Sequence, residues 1–334
     1  MLRGTRPTAA LVASLVVSTA ALTACGTDTP GTGLEFADRL DAVTISGDVG
    51  DAKLEFKKRM EAGELETETL VEGGGDALKD KDAVFVNYVI GNGYTKTDAI
   101  NSFGEDASAV EVTVGAAETA EPATLDDVLK NLLRDYIKPG VTKGSRIVLT
   151  GNTEAMFGQL AQSPALATEG IGNDDGLVMV VDVEDVTVLD GPEGEVGKNP
   201  GWAPKIVFNG NGPTSLDFAG IAKPAGKAKL LVSVLKKGTG AEVKTGDLLV
   251  ANYLGSVYGA TTPFDESYSP KKPLLKLPVG SFVDGFNEAI EGQTVGSRVI
   301  MRIPPAKGYG KEGQGETVPP NSTLYFVVDI LAAV

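Results

Sequence analysis

The stretch Ser281 to Gly310 reads SFVDGFNEAIEGQTVGSRVIMRIPPAKGYG, and its period changes halfway along. Phe282, Val283, Phe286, Ala289 and Ile290 stand at i, i+1, i+4, i+7 and i+8, the spacing of one apolar helix face. Ser281 and Asp284 have the spacing of a capping box, which predicts a helix starting beside Ser281. Beyond Gly296 the helical spacing stops and a strand-like run leads into Pro304-Pro305. Tyr309-Gly310 follows, then Pro319-Pro320, then an alternating end, STLYFVVDILAAV. Two proline pairs thus fix the backbone on both sides of one tyrosine.

Working outward, the same order of features occurs twice. KDAVFVNYVIGNG (81–93) matches GDLLVANYLGSVYG (246–259), with Asn87-Tyr88 on Asn252-Tyr253. KGSRIVLTGNTEAMFG (143–158) matches VGSRVIMRIPPAKGYG (295–310) through a shared Gly-Ser-Arg. The earlier copy has its own helix signal in TLDDVLKNLLRDYIKPG, with Leu125, Val128, Leu129, Leu132, Leu133 and Tyr136 on one face and Thr124 and Asp127 as a capping box. Residues 41–188 and 203–334 are therefore expected as two domains. The Gly- and Pro-rich stretch 189–202 is expected to link them, and 25–40 to be a tether. One amphipathic helix among alternating strands predicts an α+β fold, an antiparallel sheet wrapped over a helix, in each copy.

Composition narrows the chemistry. The chain has no histidine and a single cysteine, so Ser-His-Asp triads, Cys-His pairs and His-bearing zinc sites are excluded, and no cofactor or metal is expected. Lys and Arg number 30 against 45 Asp and Glu, which disfavours nucleic acid as a partner.

The N-terminal stretch carries Arg3 and Arg6, then PTAALVASLVVSTAALTAC. This is the pattern of an export signal over residues 1–24. Leu22-Thr23-Ala24-Cys25 resembles a bacterial lipoprotein lipobox, which implies that Cys25 is lipidated. The expectation is an exported protein held by a lipid anchor at the outer face of the bacterial cytoplasmic membrane.

The later copy resembles the FKBP-type peptidyl-prolyl isomerases over nearly its full length. The carrying segments are ANYLG, PFDESY, KKPLLKLPVGSFVDGFNEAIEGQTVGSR, PPAKGYG and VPPNSTLYFVVDIL, in that family's order. The resemblance implies two tandem FKBP-like domains, with an apolar pocket between sheet and helix that takes X-Pro peptides and macrolide inhibitors. It implies catalytic roles for Tyr253, Asp265 and Tyr309, and substrate contacts from Phe264, Phe282, Val283, Phe286, Val318 and Phe326. Singly, each aromatic would pass for core and Asp265 for a turn residue; their joint spacing carries the implication. The basic residue that often follows Phe-Asp in that family is missing at its usual place, where Tyr268 stands nearby, and the loop histidine is Gln314.

Carried back to the earlier copy, Tyr88 is kept, Phe264-Asp265 is matched to Phe103-Gly104, and Tyr309 to Phe157. Glu105 and Asp106 are neighbours, not equivalents. That copy is expected to keep the fold and lack the polar site. The function implied is a prolyl isomerase that assists the folding of exported clients. The competing expectation is a non-catalytic module that holds proline segments. A solute-binding lipoprotein fits less well, because the matched folds enclose small pockets rather than clefts between lobes.

Overall fold

Near-continuous apolar strands such as Val84–Ile90 require cover on both faces, and the computed structural model provides it. The structure describes residues 36–334 apart from 104–107, 118–123, 174, 211, 226–227 and 271. The expectations for the export signal, Cys25, Gly104, Glu105 and Asp106 lie outside the described residues.

Short strands β1 (Phe36–Ala37), β2 (Val43–Ser46), β3 (Lys53–Phe56) and β4 (Arg59–Met60) come first. The first sheet is built from β5 (Glu66–Val71), β6 (Ala83–Asn92), β7 (Thr97–Asn101), β8 (Val110–Thr113), β9 (Arg146–Asn152) and β10 (Gly176–Val183). Its strands run antiparallel in the order β5-β9-β10-β6-β7, and β8 also pairs with β6. Helix α1 (Leu125–Tyr136) closes one face, and its Thr124–Asp127 capping box forms as expected. Leu129, Leu132 and Leu133 pack there on Val86, Tyr88 and Ile90. The alternate residue Val89 faces the other way, where Ala42, Val43, Ala52 and Met60 cover the back of the sheet. Two short helices, α2 (Thr153–Phe157) and α3 (Pro164–Thr168), fill the connection from β9 to β10.

The second domain repeats this plan. It begins with β11 (Glu195–Val196) and a hairpin, β12 (Lys205–Asn209) and β13 (Gly212–Asp217). The sheet strands are β14 (Leu231–Lys237), β15 (Leu248–Val257), β16 (Asp265–Glu266), β17 (Leu275–Pro278), β18 (Arg298–Ile303) and β19 (Leu324–Ala333), with helix α4 (Asp284–Ile290) between β17 and β18. The order β14-β18-β19-β15-β16, with β17 also on β15, matches the first sheet strand for strand. The chain is thus α+β, two tandem copies of one sheet-and-helix plan. The stretch expected as a plain linker is partly ordered into the second sheet, since β11 pairs with the edge strand β14.

The back-face hairpins were not foreseen from the sequence. Residues of 203–218 cover the second sheet through Ala203 and Leu216, which pack on Leu254, Ile300, Tyr325 and Val327. In each copy a buried Arg–Asp pair on neighbouring strands meets the hairpin. Arg146 binds Asp182 at 2.6 and 2.7 Å and donates to the carbonyls of Gly47 and Asp48 at 2.8 and 2.6 Å. Arg298 binds Asp329 at 2.6 and 2.7 Å, and its guanidinium lies 5.2 Å from the Phe208 ring centroid. Such bidentate pairs have a fixed geometry, so they set the hairpin against the sheet.

Candidate functional site

In the second domain the concave face of the sheet and α4 enclose a pocket of about 480 Å³. Its apolar lining includes Phe264, Leu275, Leu277, Phe282, Val283, Phe286 and Phe326, with Tyr253, Asp265, Tyr309 and Gln314 among the polar groups. The aromatics brace one another edge to face: Phe264 lies 5.6 Å from Phe326 and Phe286 lies 5.4 Å from it, both near perpendicular. Phe282 stacks, tilted, 4.5 Å from Phe286. Gly255 makes room for this group, because a Cβ there would stand 2.7 Å from the rings of Phe264 and Phe326.

The approach to α4 differs from expectation. The helix starts at Asp284 with Val283 as N-cap, and Ser281 makes no cap. Asn287 does that work instead: its side chain accepts from Gly280 N–H at 3.0 Å and donates to the Phe282 carbonyl at 2.9 Å. This leaves Val283 in extended backbone, with Phe282 beside it, where both line the pocket. The Val283 N–H makes no hydrogen bond among the described residues.

Polar groups gather on the rim around Asp265. The Tyr253 hydroxyl donates to one carboxylate oxygen, and the other accepts from the Glu266 N–H at 2.9 Å and from Lys272 at 3.3 Å. Burial, then the hydrogen bond to Asp265 and its charge, push the Tyr253 phenol well above the usual range. Burial and the same carboxylate also raise Tyr309. Both phenols therefore remain protonated donors at neutral pH. The Tyr309 hydroxyl makes no hydrogen bond among the described residues. Its loop is held by the backbone: Gly310 N–H bonds the Pro305 carbonyl at 2.9 Å and Asn321 N–H bonds the Gly310 carbonyl at 2.8 Å. Asp265 itself is half exposed, 50 % by side chain.

The structure thus brings together Tyr253, Phe264, Asp265, Phe282, Val283, Phe286, Tyr309 and Phe326 at one pocket. Val318 does not line it; at 1 % exposure it belongs to the core of the domain. Lys272, Leu275 and Leu277 were missed. Lys272 supplies the positive charge expected to be missing, from seven residues beyond Asp265. Tyr268, nearer in sequence, packs instead against the back hairpin at Gly212. The alternation in PLLKLP was the available signal for Leu275 and Leu277.

The first domain needs a correction of register. Ser267 accepts from Tyr253 N–H at 2.9 Å and donates to Asn252 at 3.1 Å. Ser102 makes the same two bonds to Tyr88 N–H and Asn87, at 2.6 and 3.1 Å. Ser102 is therefore the counterpart of Ser267, so Ala99 and Ile100 stand where Phe264 and Asp265 do. Phe103, matched to Phe264 by residue type, belongs to the back-face cluster. The strand ladders agree, since Ile100 pairs with Ile90 as Asp265 pairs with Gly255. Phe157 is buried at 6 % exposure together with Tyr88, Met156, Leu166 and Ile171. Burial raises the Tyr88 phenol to about 12. Among the described residues no group of His, Cys, Asp and Glu could hold a metal ion.

Residues 240–331 match the family of FKBP-type peptidyl-prolyl cis-trans isomerases. FK506-binding protein 2 of Yarrowia lipolytica is 34 % identical over 110 residues, 31 % of this chain and 76 % of that protein. The FK506-binding protein of Neisseria meningitidis serogroup B is 34 % identical over 103 residues, 30 % of this chain and 94 % of that protein. Among solved structures, FkpA from Escherichia coli is 32 % identical, covering 33 % of this chain and 50 % of that one, with a TM-score of 0.30.

Proposed function

The chain belongs to the FKBP-type peptidyl-prolyl cis-trans isomerase family, and from that premise we propose that its second domain turns X-Pro bonds in exported proteins. The observation that carries this is the Tyr253–Asp265–Lys272 group at the rim of an aromatic pocket, with the Tyr309 hydroxyl beside it and free.

The reaction needs neither base nor nucleophile. Amide resonance sets a barrier of ~18–20 kcal/mol and places charge on the carbonyl oxygen. The twisted transition state loses much of that charge, so a dry pocket favours it over the planar ground state. Four decades of rate require only ~5–6 kcal/mol. Phe264, Phe286 and Phe326 would hold the proline ring, and the Val283 N–H and the Tyr309 hydroxyl would meet carbonyls of the bound segment. Tyr309 needs little ordering, because its loop is already fixed, so its donor contributes at small entropic cost. Asp265, with its charge balanced by Lys272, would hold Tyr253 and shape the field at the twisting bond. The same pocket is proposed to take macrolides such as the FK506 in the relatives' names.

The first domain is proposed to be silent, with Ile100 and Phe157 where the second has a carboxylate and a phenol. Export and a lipid anchor on Cys25 are proposed from the Leu-Thr-Ala-Cys pattern. No helix among the described residues is long and apolar enough to cross a membrane. Cys25→Ser should move the chain from the detergent to the aqueous phase on partitioning; equal partitioning would count against the anchor. The activity is tested by refolding a protein whose slow phase is limited by prolyl isomerisation. A catalyst shortens that phase at substoichiometric amounts, whereas an effect seen only near equimolar chain would point to a holding module instead.

A further inference from the structure

The two domains meet through equivalent strands. Glu111 on β8 and Lys276 on β17 lie 165 residues apart, the offset that also separates Asn87 from Asn252. Each stands opposite an equivalent residue on its own sheet, Phe85 for Glu111 and Val250 for Lys276. Phe85, Ala109, Leu248, Val250 and Ala332 are buried together between the domains. Beside them, the Lys276 ammonium reaches both oxygens of Glu111, at 2.5 and 2.7 Å. The side chains of Lys276 and Glu111 are 34 % and 28 % exposed, so the pair is partly withdrawn from water and its charges are weakly screened.

Strand β17 is also a wall of the pocket. Its side chains alternate, so Leu275 and Leu277 line the pocket while Lys276 between them goes to the first domain. Among the described strands β17 bonds to β15 alone, so one ladder and the contact with the first domain hold it. We propose that Glu111, acting through Lys276, is a positioning residue for this wall. The first domain thereby sets how tightly the second binds the segment it isomerises. This rests on the isomerase function proposed above.

The test uses the full chain. Glu111→Lys sets two ammonium groups against each other. It should raise KM on the order of three- to tenfold with kcat unchanged, a size usual for mutations that act on a site through packed neighbours. The swapped pair Glu111→Lys with Lys276→Glu should restore the wild-type KM. Hydrogen exchange at the amides of Leu275, Lys276 and Leu277 should quicken in Glu111→Lys and recover in the swap, a readout that needs no activity. If the reversal does not fold, Glu111→Gln is read the same way, with a smaller rise expected. A KM within about twofold of wild type with unchanged exchange would overturn the inference. So would a raised KM that the swap leaves raised. An inactive wild type would refute the proposed function instead, while the exchange data would still decide whether Glu111 holds β17.

Discussion

Replacing Asp265 by alanine removes the group on which the rim of the pocket converges. Its carboxylate takes the Tyr253 hydroxyl, the Glu266 N–H at 2.9 Å and the Lys272 ammonium at 3.3 Å. Truncation frees the Tyr253 hydroxyl to rotate and leaves Lys272 with Glu266 as its remaining carboxylate partner, at 3.3 Å. A hydrogen bond to a charged group contributes ~1.5–3 kcal/mol. If all of it acted in the transition state, that would be roughly 10- to 150-fold in rate. Asp265 is 50 % exposed, so solvent screening keeps the effect near the lower end. The expected fall in kcat/KM is therefore about 10- to 30-fold in a chymotrypsin-coupled peptide assay. Asp265→Asn keeps an acceptor for Tyr253 and should fall less. Tyr309→Phe removes one neutral donor, ~0.5–1.5 kcal/mol, and should cost roughly 2- to 10-fold. A half-exposed side chain leaves no cavity, so the melting temperature of Asp265→Ala should barely move. Activity within about threefold of wild type, with that melting unchanged, would refute the role given to Asp265.

Arg298→Met should cost ~3–5 kcal/mol in urea denaturation, because it strands Asp329, 2 % exposed, without its partner; a loss below ~1 kcal/mol would mean that the pair does not hold the hairpin. Burial raises the Glu184 carboxyl above its ordinary 4.5, so above that pH the folded chain binds more protons than the unfolded one and loses stability as pH rises. Glu184→Gln keeps an acceptor for Asn87 and should raise the melting temperature at pH 7 but not near pH 4; an equal gain at both would show that the charge is not the cause. Gly255→Ala pushes a methyl group into the rings of Phe264 and Phe326, at 2.7 Å, and should cost ~1–3 kcal/mol of stability and most of the turnover. Near-wild-type turnover in that variant would locate activity in the first domain.

The repeat made the sheet-and-helix plan legible, because Asn-Tyr, Gly-Ser-Arg and two amphipathic helices recur in one order. The pocket was legible through Phe264, Asp265, Phe286, Tyr309 and Phe326, whose spacing survives in the fold. The register of the first copy was not, because phenylalanine was matched to phenylalanine. The better guide was the serine that follows each Asn by fifteen residues and binds it. The mismatch is four residues, which takes the match past the end of β7 at Asn101 and onto Phe103, a residue of the back-face cluster. The back-face hairpins escaped because isolated two-stranded hairpins are marginal and carry weak local signals. They are set by the Arg–Asp pairs, whose partners lie far off in sequence. Lys272 escaped for a similar reason: only the turn after β16 brings it back to Asp265.

The pairing of Glu111 with Lys276 has a further consequence. In a dimer of identical chains, a residue on the symmetry axis faces its own copy, and two glutamates or two lysines there would repel. Fusion into one chain lets the two positions diverge to opposite charge. It also replaces a bimolecular encounter by an intramolecular one, at an effective concentration in the millimolar range for a short connection. A modest patch around Phe85 and Val250 can then stay closed at any dilution of the protein. Cutting the chain between the domains would expose that patch to ordinary mass action, and two halves at micromolar concentration would largely separate.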